Sequence, residues 1–176
     1  LEDGETLSAE RVIVATGMTE AAALTGLEDR GWRGVTSMWL AADHPPITEP
    51  MLVLNGSGFG PINSMAVMSQ VSEHYAPAGS STIVVSSPEI RPGLMADMRR
   101  QLASWFGQVV DGWEVLRVDE IERAQPTHPV GHDRTGAVQT GSGIWVCGDH
   151  LRDASINGAL GSGRALARSL STAGAG

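Results

Sequence analysis

The hydrophobic positions of this chain fall into short continuous runs separated by glycine, proline and polar residues. Runs of this length, rich in β-branched and aromatic side chains, are typical of buried strands. They lie at residues 11–16, 35–40, 51–55, 82–86, 113–118 and 144–147. These runs predict the strands of an α/β fold.

Besides a short helix at residues 19–27, a first longer helix is predicted after Pro92, where apolar residues recur at helical spacing until Gly107 ends the pattern. The apolar stripe consists of Leu94, Met98, Leu102, Trp105 and Phe106. The outer face is predicted to consist of Arg99, Arg100 and Gln101. A stripe of methionine and aromatic residues at this spacing indicates core packing and not a cofactor site.

A second helix is predicted near the C-terminus, with Ser155 or Asp153 as its N-cap. Its main apolar positions are Ile156, Leu160, Leu166 and Leu170. The pattern is interrupted by Gly158, Gly161 and Gly163, and a glycine inside a helix costs about 1 kcal/mol relative to alanine. This penalty indicates a close approach to the helix backbone, either by the sheet or by a ligand across the strand end and the helix N-terminus.

Residues 143–167, GIWVCGDHLRDASINGALGSGRALA, resemble the C-terminal flavin motif of the FAD-dependent oxidoreductases related to amine oxidases, phytoene desaturases and protoporphyrinogen oxidase. The resemblance implies a strand, a Gly-Asp pair, a loop and a helix whose first turn faces the flavin ring. It implies that Asp149 accepts a hydrogen bond from a ribityl hydroxyl and that Gly148 lets the backbone pass close to the cofactor. The backbone amides around Ile156 and Asn157 are then expected to point at the N1/C2-carbonyl edge of the flavin.

The strand VIVATG, residues 12–17, resembles the strand by which these proteins return to the FAD domain, and it implies that the cofactor passes Thr16 and Gly17. The implied cofactor is FAD, and the implied cofactor-binding residues are Thr16, Gly17, Gly148, Asp149, Ser155, Ile156, Asn157, Gly158 and Ala159. No catalytic residue is assigned, because in a flavin enzyme the cofactor accepts the hydride and the protein supplies binding and orientation.

The resemblance also implies a discontinuous domain organisation. Residues 1–30 and 126–176 are expected to form the C-terminal part of a Rossmann-like FAD-binding domain, and residues 31–125 a mixed-sheet α+β substrate domain. Asp3-Gly4 is a hairpin-turn signal whose partner strand would precede Leu1. We therefore expect a missing N-terminal half of the same protein, which in this family carries the glycine loop for the FAD pyrophosphate.

The glycine-rich stretch GSGFG at residues 56–60 leaves an alternative open. It follows a strand, as the glycines of a dinucleotide-binding fingerprint do, although Pro61 stands where the third glycine belongs. A helix over residues 62–74 would support a dinucleotide-binding module, whereas a strand there would contradict it. The same stretch resembles the substrate domain of the family, in which residues 56–61 form a turn and residues 62–71 are mostly extended.

Composition limits the classes of function. The net charge of −8 argues against a nucleic-acid surface, and the single cysteine, Cys147, excludes a disulfide framework. No apolar run is long enough to span a membrane and no metal-ligand motif is present, so we predict no membrane span, no metal and a cytoplasmic location. Among the histidines, the resemblance puts His128 in the element that crosses near the cavity and His150 beside Asp149, but a functional role is not favoured for either. Surface or turn positions are predicted for His44, His74 and His132.

The resemblance thus implies an FAD-dependent oxidoreductase that passes hydride from an organic, apolar or amine substrate to flavin. Its expected partners are a small-molecule substrate and the missing N-terminal half, without which the chain alone is expected to be inactive. The alternatives are the dinucleotide-binding module at residues 56–60 and a non-catalytic remnant that holds no cofactor.

Overall fold

A computed structural model describes Gly4, residues 6–132, Arg134 and residues 136–173. The hairpin predicted at Asp3-Gly4 therefore lies outside the described residues, apart from Gly4. The chain forms two compact units. The first unit is Leu1–Trp32 with Gln125–Gly176, and the second unit is Arg33–Ala124. The assignment of these units to FAD and to substrate stays a prediction.

Strands and helices are numbered along the chain. The strands are β1 (Ile13–Val14), β2 (Trp32–Ala42), β3 (Leu52–Leu54), β4 (Ser64–Val67), β5 (Ser81–Ser87), β6 (Glu114–Pro126), β7 (Ala137–Gln139) and β8 (Trp145–Cys147). The helices are α1 (Met18–Thr25), α2 (Met68–Val71), α3 (Leu94–Phe106) and α4 (Ile156–Ala173). Short 3-10 turns occupy Glu73–Tyr75, Gly107–Gly112 and Asp149–Leu151.

The second unit is built on a five-stranded sheet in the order β3-β4-β5-β2-β6. The pairs β3/β4, β4/β5 and β5/β2 are antiparallel. One face of the sheet packs against α3, and the buried core between them includes Met38, Leu40, Met65, Ile83, Val85, Leu94, Met98 and Leu102. The alternating burial of β5 shows why these strands form, since every second side chain faces this core.

Helix α3 confirms the predicted bounds and the core positions Leu94, Met98 and Leu102, but the prediction for Gln101 is wrong. Gln101 was placed on the outer face, whereas its side chain is only 9% exposed. Its amide oxygen accepts the backbone N–H of Ile62 at 2.8 Å, and its amide nitrogen donates to the carbonyl of Phe59 at 2.9 Å. The polar side chain is buried because it satisfies backbone groups of a loop distant in sequence.

The loop at residues 56–60 connects β3 and β4, which pair as an antiparallel hairpin with Leu54 opposite Ser64. The side-chain amide of Asn55 closes this loop by donating to the carbonyls of Phe59 and Ile62, both at 2.8 Å. The following segment is a strand, and its only helix, α2, has four residues. The dinucleotide-binding interpretation is therefore wrong, because that fingerprint needs a helix directly after the glycines.

The first unit contains a three-stranded sheet in the order β1-β8-β7, with a small core of Val14, Ala21 and Val146. Strand β7 is not among the strands predicted from the sequence, and its residues Ala137 and Gln139 pair with the two ends of β8. Among the described residues, no helix combines the length and the hydropathy that crossing a bilayer requires.

Helix α4 packs on this sheet with a face different from the one that its apolar residues suggest. Ser162 and Leu166 are buried, whereas Ile156 and Leu160 are 82% and 68% exposed. The apolar positions that recur at helical spacing therefore do not share one covered face. The helix has two apolar faces, of which only one is covered within the first unit.

Candidate functional site

The carboxyl ends of β1 and β8 lie side by side at one edge of the sheet in the first unit. The two strands are parallel, with Ile13 opposite Trp145 and Val14 opposite Val146. Because parallel neighbours end at the same edge, the turn at residues 16–17 and the turn at residues 148–149 emerge together. Ligands of open α/β sheets bind at such an edge. The structure thus brings together two motifs that are 132 residues apart in sequence.

Thr16 and Gly17 form the exposed connection from β1 to α1. Gly17 is the N-cap of this helix, and its carbonyl accepts the N–H of Ala21 at 2.9 Å. The Thr16 hydroxyl donates to the same carbonyl at 3.3 Å. Both predicted site residues therefore lie at a helix start that is open to solvent.

Both backbone polar groups of Gly148 are hydrogen-bonded within the chain. Its N–H donates to the hydroxyl of Ser162 at 2.7 Å, and its carbonyl accepts the N–H of Leu151 at 3.2 Å. The ring of His150 occupies the space above its α-carbon, at 2.5 Å from Nδ1 to where a Cβ would stand. A glycine is needed here on account of this ring, in addition to any approach of a cofactor.

The carboxylate of Asp149 is available to a ligand. Its side chain is 32% exposed, and the nearest ionisable side chain is the ring of His150, with Nδ1 at 3.9 Å from Oδ1, beyond hydrogen-bond distance. Within the described part of the chain the carboxylate accepts no hydrogen bond. Its backbone carbonyl accepts the N–H of Arg152 at 3.0 Å, so the backbone is held while the carboxylate stays unpaired.

The first turn of α4 confirms Ser155 as the N-cap. The Ser155 hydroxyl accepts the N–H of Gly158 at 2.9 Å, and its carbonyl accepts the N–H of Ala159 at 3.0 Å. The N–H groups of Ile156 and Asn157 have no partner among the described residues. Free N–H groups and the helix dipole together favour negative charge at such a terminus.

The structure shows what lies close to the backbone of α4 at its three predicted interior glycines. A Cβ at Gly158 would collide with the carbonyl oxygen of Asp153, and one at Gly161 would lie 2.9 Å from the guanidinium of Arg152. At Gly163 nothing lies within 4 Å. Gly158 is therefore explained by a backbone contact inside the chain, Gly161 lies beside a flexible arginine side chain that can move, and Gly163 has open space beside it.

His128, His132 and His150 form a cluster close to Asp149, which the sequence did not predict. The rings of His128 and His132 stack with centroids 4.2 Å apart. His132 is not a free surface residue, because its Nδ1 contacts the guanidinium of Arg30 at 3.1 Å and its Nε2 contacts the Arg152 carbonyl at 3.2 Å. The ring nitrogens of His128 and His150 are buried without hydrogen-bond partners among the described residues.

These surroundings favour the neutral form of two of the imidazoles, because they lower the pKa of His128 and of His150. Burial lowers the pKa of His128, and the charge of His132 lowers it further. Burial also lowers the pKa of His150, against the opposing effect of Asp149. The described residues contain no group of three or more His, Cys, Asp or Glu side chains arranged to hold a metal ion.

A sequence model of the family described as flavin containing amine oxidoreductase matches residues 1–171. Among solved structures, the chain is similar to an oxidoreductase from Methanosarcina mazei, with 18% identity, a TM-score of 0.63 and coverage of 93% of this chain and 44% of that chain. It is also similar to a protein from Pyrococcus furiosus, with 19% identity, a TM-score of 0.64 and coverage of 93% and 41%. A third similar structure is reduced UDP-galactopyranose mutase, with 15% identity, a TM-score of 0.56 and coverage of 74% and 32%.

The chain thus spans less than half the length of these solved proteins. At such identities the likeness shows the fold, and it confirms the predicted α/β class. No curated protein sequence matches the chain.

Proposed function

The chain belongs to the family of flavin-containing amine oxidoreductases, and from this premise we propose that it forms the C-terminal portion of an FAD-dependent oxidoreductase. The proposed reaction transfers a hydride from an organic substrate, apolar or an amine, to FAD. The observation that carries the proposal is the sheet edge of the first unit, where the turns after β1 and β8 emerge together.

The polar groups at this edge support the proposal that it holds the cofactor. When bound, FAD supplies the hydride acceptor. In our proposal the unpaired carboxylate of Asp149 accepts a hydrogen bond from a ribityl hydroxyl, and Thr16, Gly17 and Gly148 line the backbone path beside it. The remaining predicted contacts come from the first turn of α4, residues 155–159, whose unpaired N–H groups favour negative charge on the flavin.

We assign substrate binding to the second unit, because one face of its sheet is not covered by α3. Trp39, Val84 and Ala66 stand opposite one another across β2, β5 and β4, and all three are half-buried. Ser37, Ser86 and Ser64 form the next row along the same strands. A face with an apolar row and a hydroxyl row suits an organic substrate that is largely apolar.

We further propose that the working protein contains an N-terminal portion that covers part of the first unit. Support comes from large apolar side chains that this unit exposes, namely Leu7, Val12, Ile13, Ile156 and Leu160. Ile156 and Leu160 are one turn apart on α4 and share a face, and an exposed apolar face of this kind supports contact with another surface. The proposed location is the cytoplasm, because the chain has one cysteine and no disulfide framework.

The test is a visible absorption spectrum of the longer protein that contains this chain, purified without added cofactor. We expect the bands of oxidised flavin. The substitution Asp149→Asn removes a charged acceptor and is expected to weaken FAD binding about tenfold or more. Asp43→Asn, an exposed aspartate of the second unit, is the matched control and should leave binding unchanged. A colourless protein that takes up no FAD when it is supplied would contradict the proposal and favour a non-catalytic remnant.

A further inference from the structure

We propose that Ser162 is a positioning residue for the cofactor site: its buried hydroxyl closes a ring of hydrogen bonds that sets the turn carrying Asp149. The inference rests on the proposed function, since it assigns to Ser162 the task of presenting Asp149 to FAD. Sequence periodicity could not find this residue, because a serine between Gly158 and Leu166 on the inner face of a helix carries no apolar signal.

The hydroxyl of Ser162 is fully enclosed, with 0% of the residue exposed. It accepts the N–H of Gly148 at 2.7 Å and donates its only proton to the carbonyl of Gly136. A hydroxyl has one proton, so these two partners fix its direction. Alanine at this position would leave a backbone donor and a backbone acceptor without a partner.

The two bonds of Ser162 belong to a closed circuit. The N–H of Gly148 donates a hydrogen bond to the Ser162 hydroxyl, and this hydroxyl donates to the carbonyl of Gly136. The N–H of Gly136 donates to the carbonyl of Leu151 at 3.1 Å, and the N–H of Leu151 donates to the carbonyl of Gly148 at 3.2 Å. The circuit joins α4, the residue before β7, and both ends of the turn that contains Asp149. Ser162 supplies its only side-chain member.

The hydrogen bonds of Ser162 act on the position of Asp149 and not only on the packing of α4. The Asp149 carboxylate has no hydrogen bond of its own within the described residues, so its place depends on the backbone that flanks it. Gly148 and Leu151 flank that backbone, and both belong to the circuit. Loss of the Ser162 hydroxyl opens the circuit at Gly148, the residue directly before Asp149. We therefore expect the effect of Ser162 on the cofactor to be transmitted through Asp149.

The experiment is a double-mutant cycle on the longer protein, stripped of flavin and titrated with FAD, with Kd measured from the quenching of flavin fluorescence. Ser162→Ala is expected to raise Kd about tenfold or more, because the N–H of Gly148 and the carbonyl of Gly136 both lose their buried partner. In the Asp149→Asn background the same substitution is expected to change Kd by less than about twofold, because coupled residues are not additive. Ser169→Ala is the matched control, since Ser169 lies on the same helix with an exposed hydroxyl bonded to the Ala165 carbonyl at 3.2 Å.

Ser162→Cys keeps the shape of the side chain with a much weaker donor and acceptor, and it covers the case in which the alanine variant does not fold. This variant is expected to raise the Kd for FAD. It is also expected to change the visible circular dichroism spectrum of the bound flavin relative to the wild type. The positioning role is overturned if folded Ser162→Ala and Ser162→Cys bind FAD with the wild-type Kd while Asp149→Asn still weakens binding. It is also overturned if Ser162→Ala raises Kd by the same factor in the wild-type and the Asp149→Asn backgrounds. Absence of FAD binding in the unmodified protein overturns the proposed function itself.

Discussion

The ring of His150 lies directly against the α-carbon of Gly148, where a Cβ would stand 2.5 Å from Nδ1. The backbone of Gly148 is extended, with φ of 162°, so an alanine would suffer from the ring and not from its own dihedral angles. Gly148→Ala is therefore expected to lower the free energy of unfolding by about 1–3 kcal/mol, as overpacking does. Denaturant unfolding measures this change.

The control for this prediction removes the ring. In a His150→Ala background, Gly148→Ala is expected to cost almost nothing, because the space above the α-carbon is then open. An equal cost in both backgrounds would mean that something other than His150 requires the glycine. The pair thus separates packing inside the chain from a need for close approach by the cofactor.

Gly158 and Gly163 offer a matched comparison within α4. A Cβ at Gly158 would collide with the Asp153 carbonyl, which is backbone and cannot swing away, whereas Gly163 has open space. Gly163→Ala is expected to raise the free energy of unfolding by up to about 1 kcal/mol, the helix-propensity gain. Gly158→Ala is expected to lower it by more than that amount.

Thermal and denaturant unfolding of the two variants measure the difference. Stabilisation by Gly158→Ala would show that the first turn of α4 does not lie against Asp153. For the same reason, loss of flavin on adding bulk at Gly158 would not by itself locate the cofactor, since the substitution disturbs the chain's own turn.

Local pattern was enough to predict most of the elements. The runs before Thr16 and Gly148 are short and β-branched, and the strands β1 and β8 follow from them. Strand β7 was missed because its three residues are held by pairing with β8, a contact that no local window contains.

The sequence pattern also failed to predict which polar side chains are buried. Gln101 and Ser162 are buried because each satisfies backbone groups far away in sequence, at Ile62 and at Gly148. Periodicity also identifies apolar residues without saying which face of a helix is covered, and Ile156 is exposed although it is one of the apolar positions of α4. The candidate site was found from its glycines and Asp149, whereas the residues that support it had to come from the structure.

Gln101 provides a test of such support in the second unit. Gln101→Ala leaves the buried N–H of Ile62 without its partner, and it also removes the donor to the Phe59 carbonyl. An unsatisfied buried group costs about 1–3 kcal/mol, so the free energy of unfolding should fall by that amount. Arg100→Ala is the neighbouring control: its side chain is exposed and its ion pair with Asp97 is worth at most about 1 kcal/mol. Equal losses for both variants would contradict the role of the amide.

The histidines behind Asp149 predict a dependence of stability on pH. Folding lowers the pKa of His128 and His150, by burial first, below the value of about 6.5 for an unfolded histidine. The unfolded chain therefore binds more protons as the pH falls below about 6.5, and the free energy of unfolding decreases in that range. Above that pH these two groups contribute no slope. The charged or titratable groups that act on them are Asp149, His132, Arg134 and Arg30.

Denaturant unfolding between about pH 5 and pH 8 checks this prediction. His150→Gln removes one of the two groups and is expected to flatten the loss of stability on the acid side, and His128→Gln should act in the same direction. His44→Gln replaces an exposed histidine of the second unit and should leave the profile as it is. A wild-type profile that rises on acidification would mean that His128 and His150 gain protons on folding. The imidazoles would then be paired with Asp149 as cations, and the carboxylate would not be free for a ribityl hydroxyl.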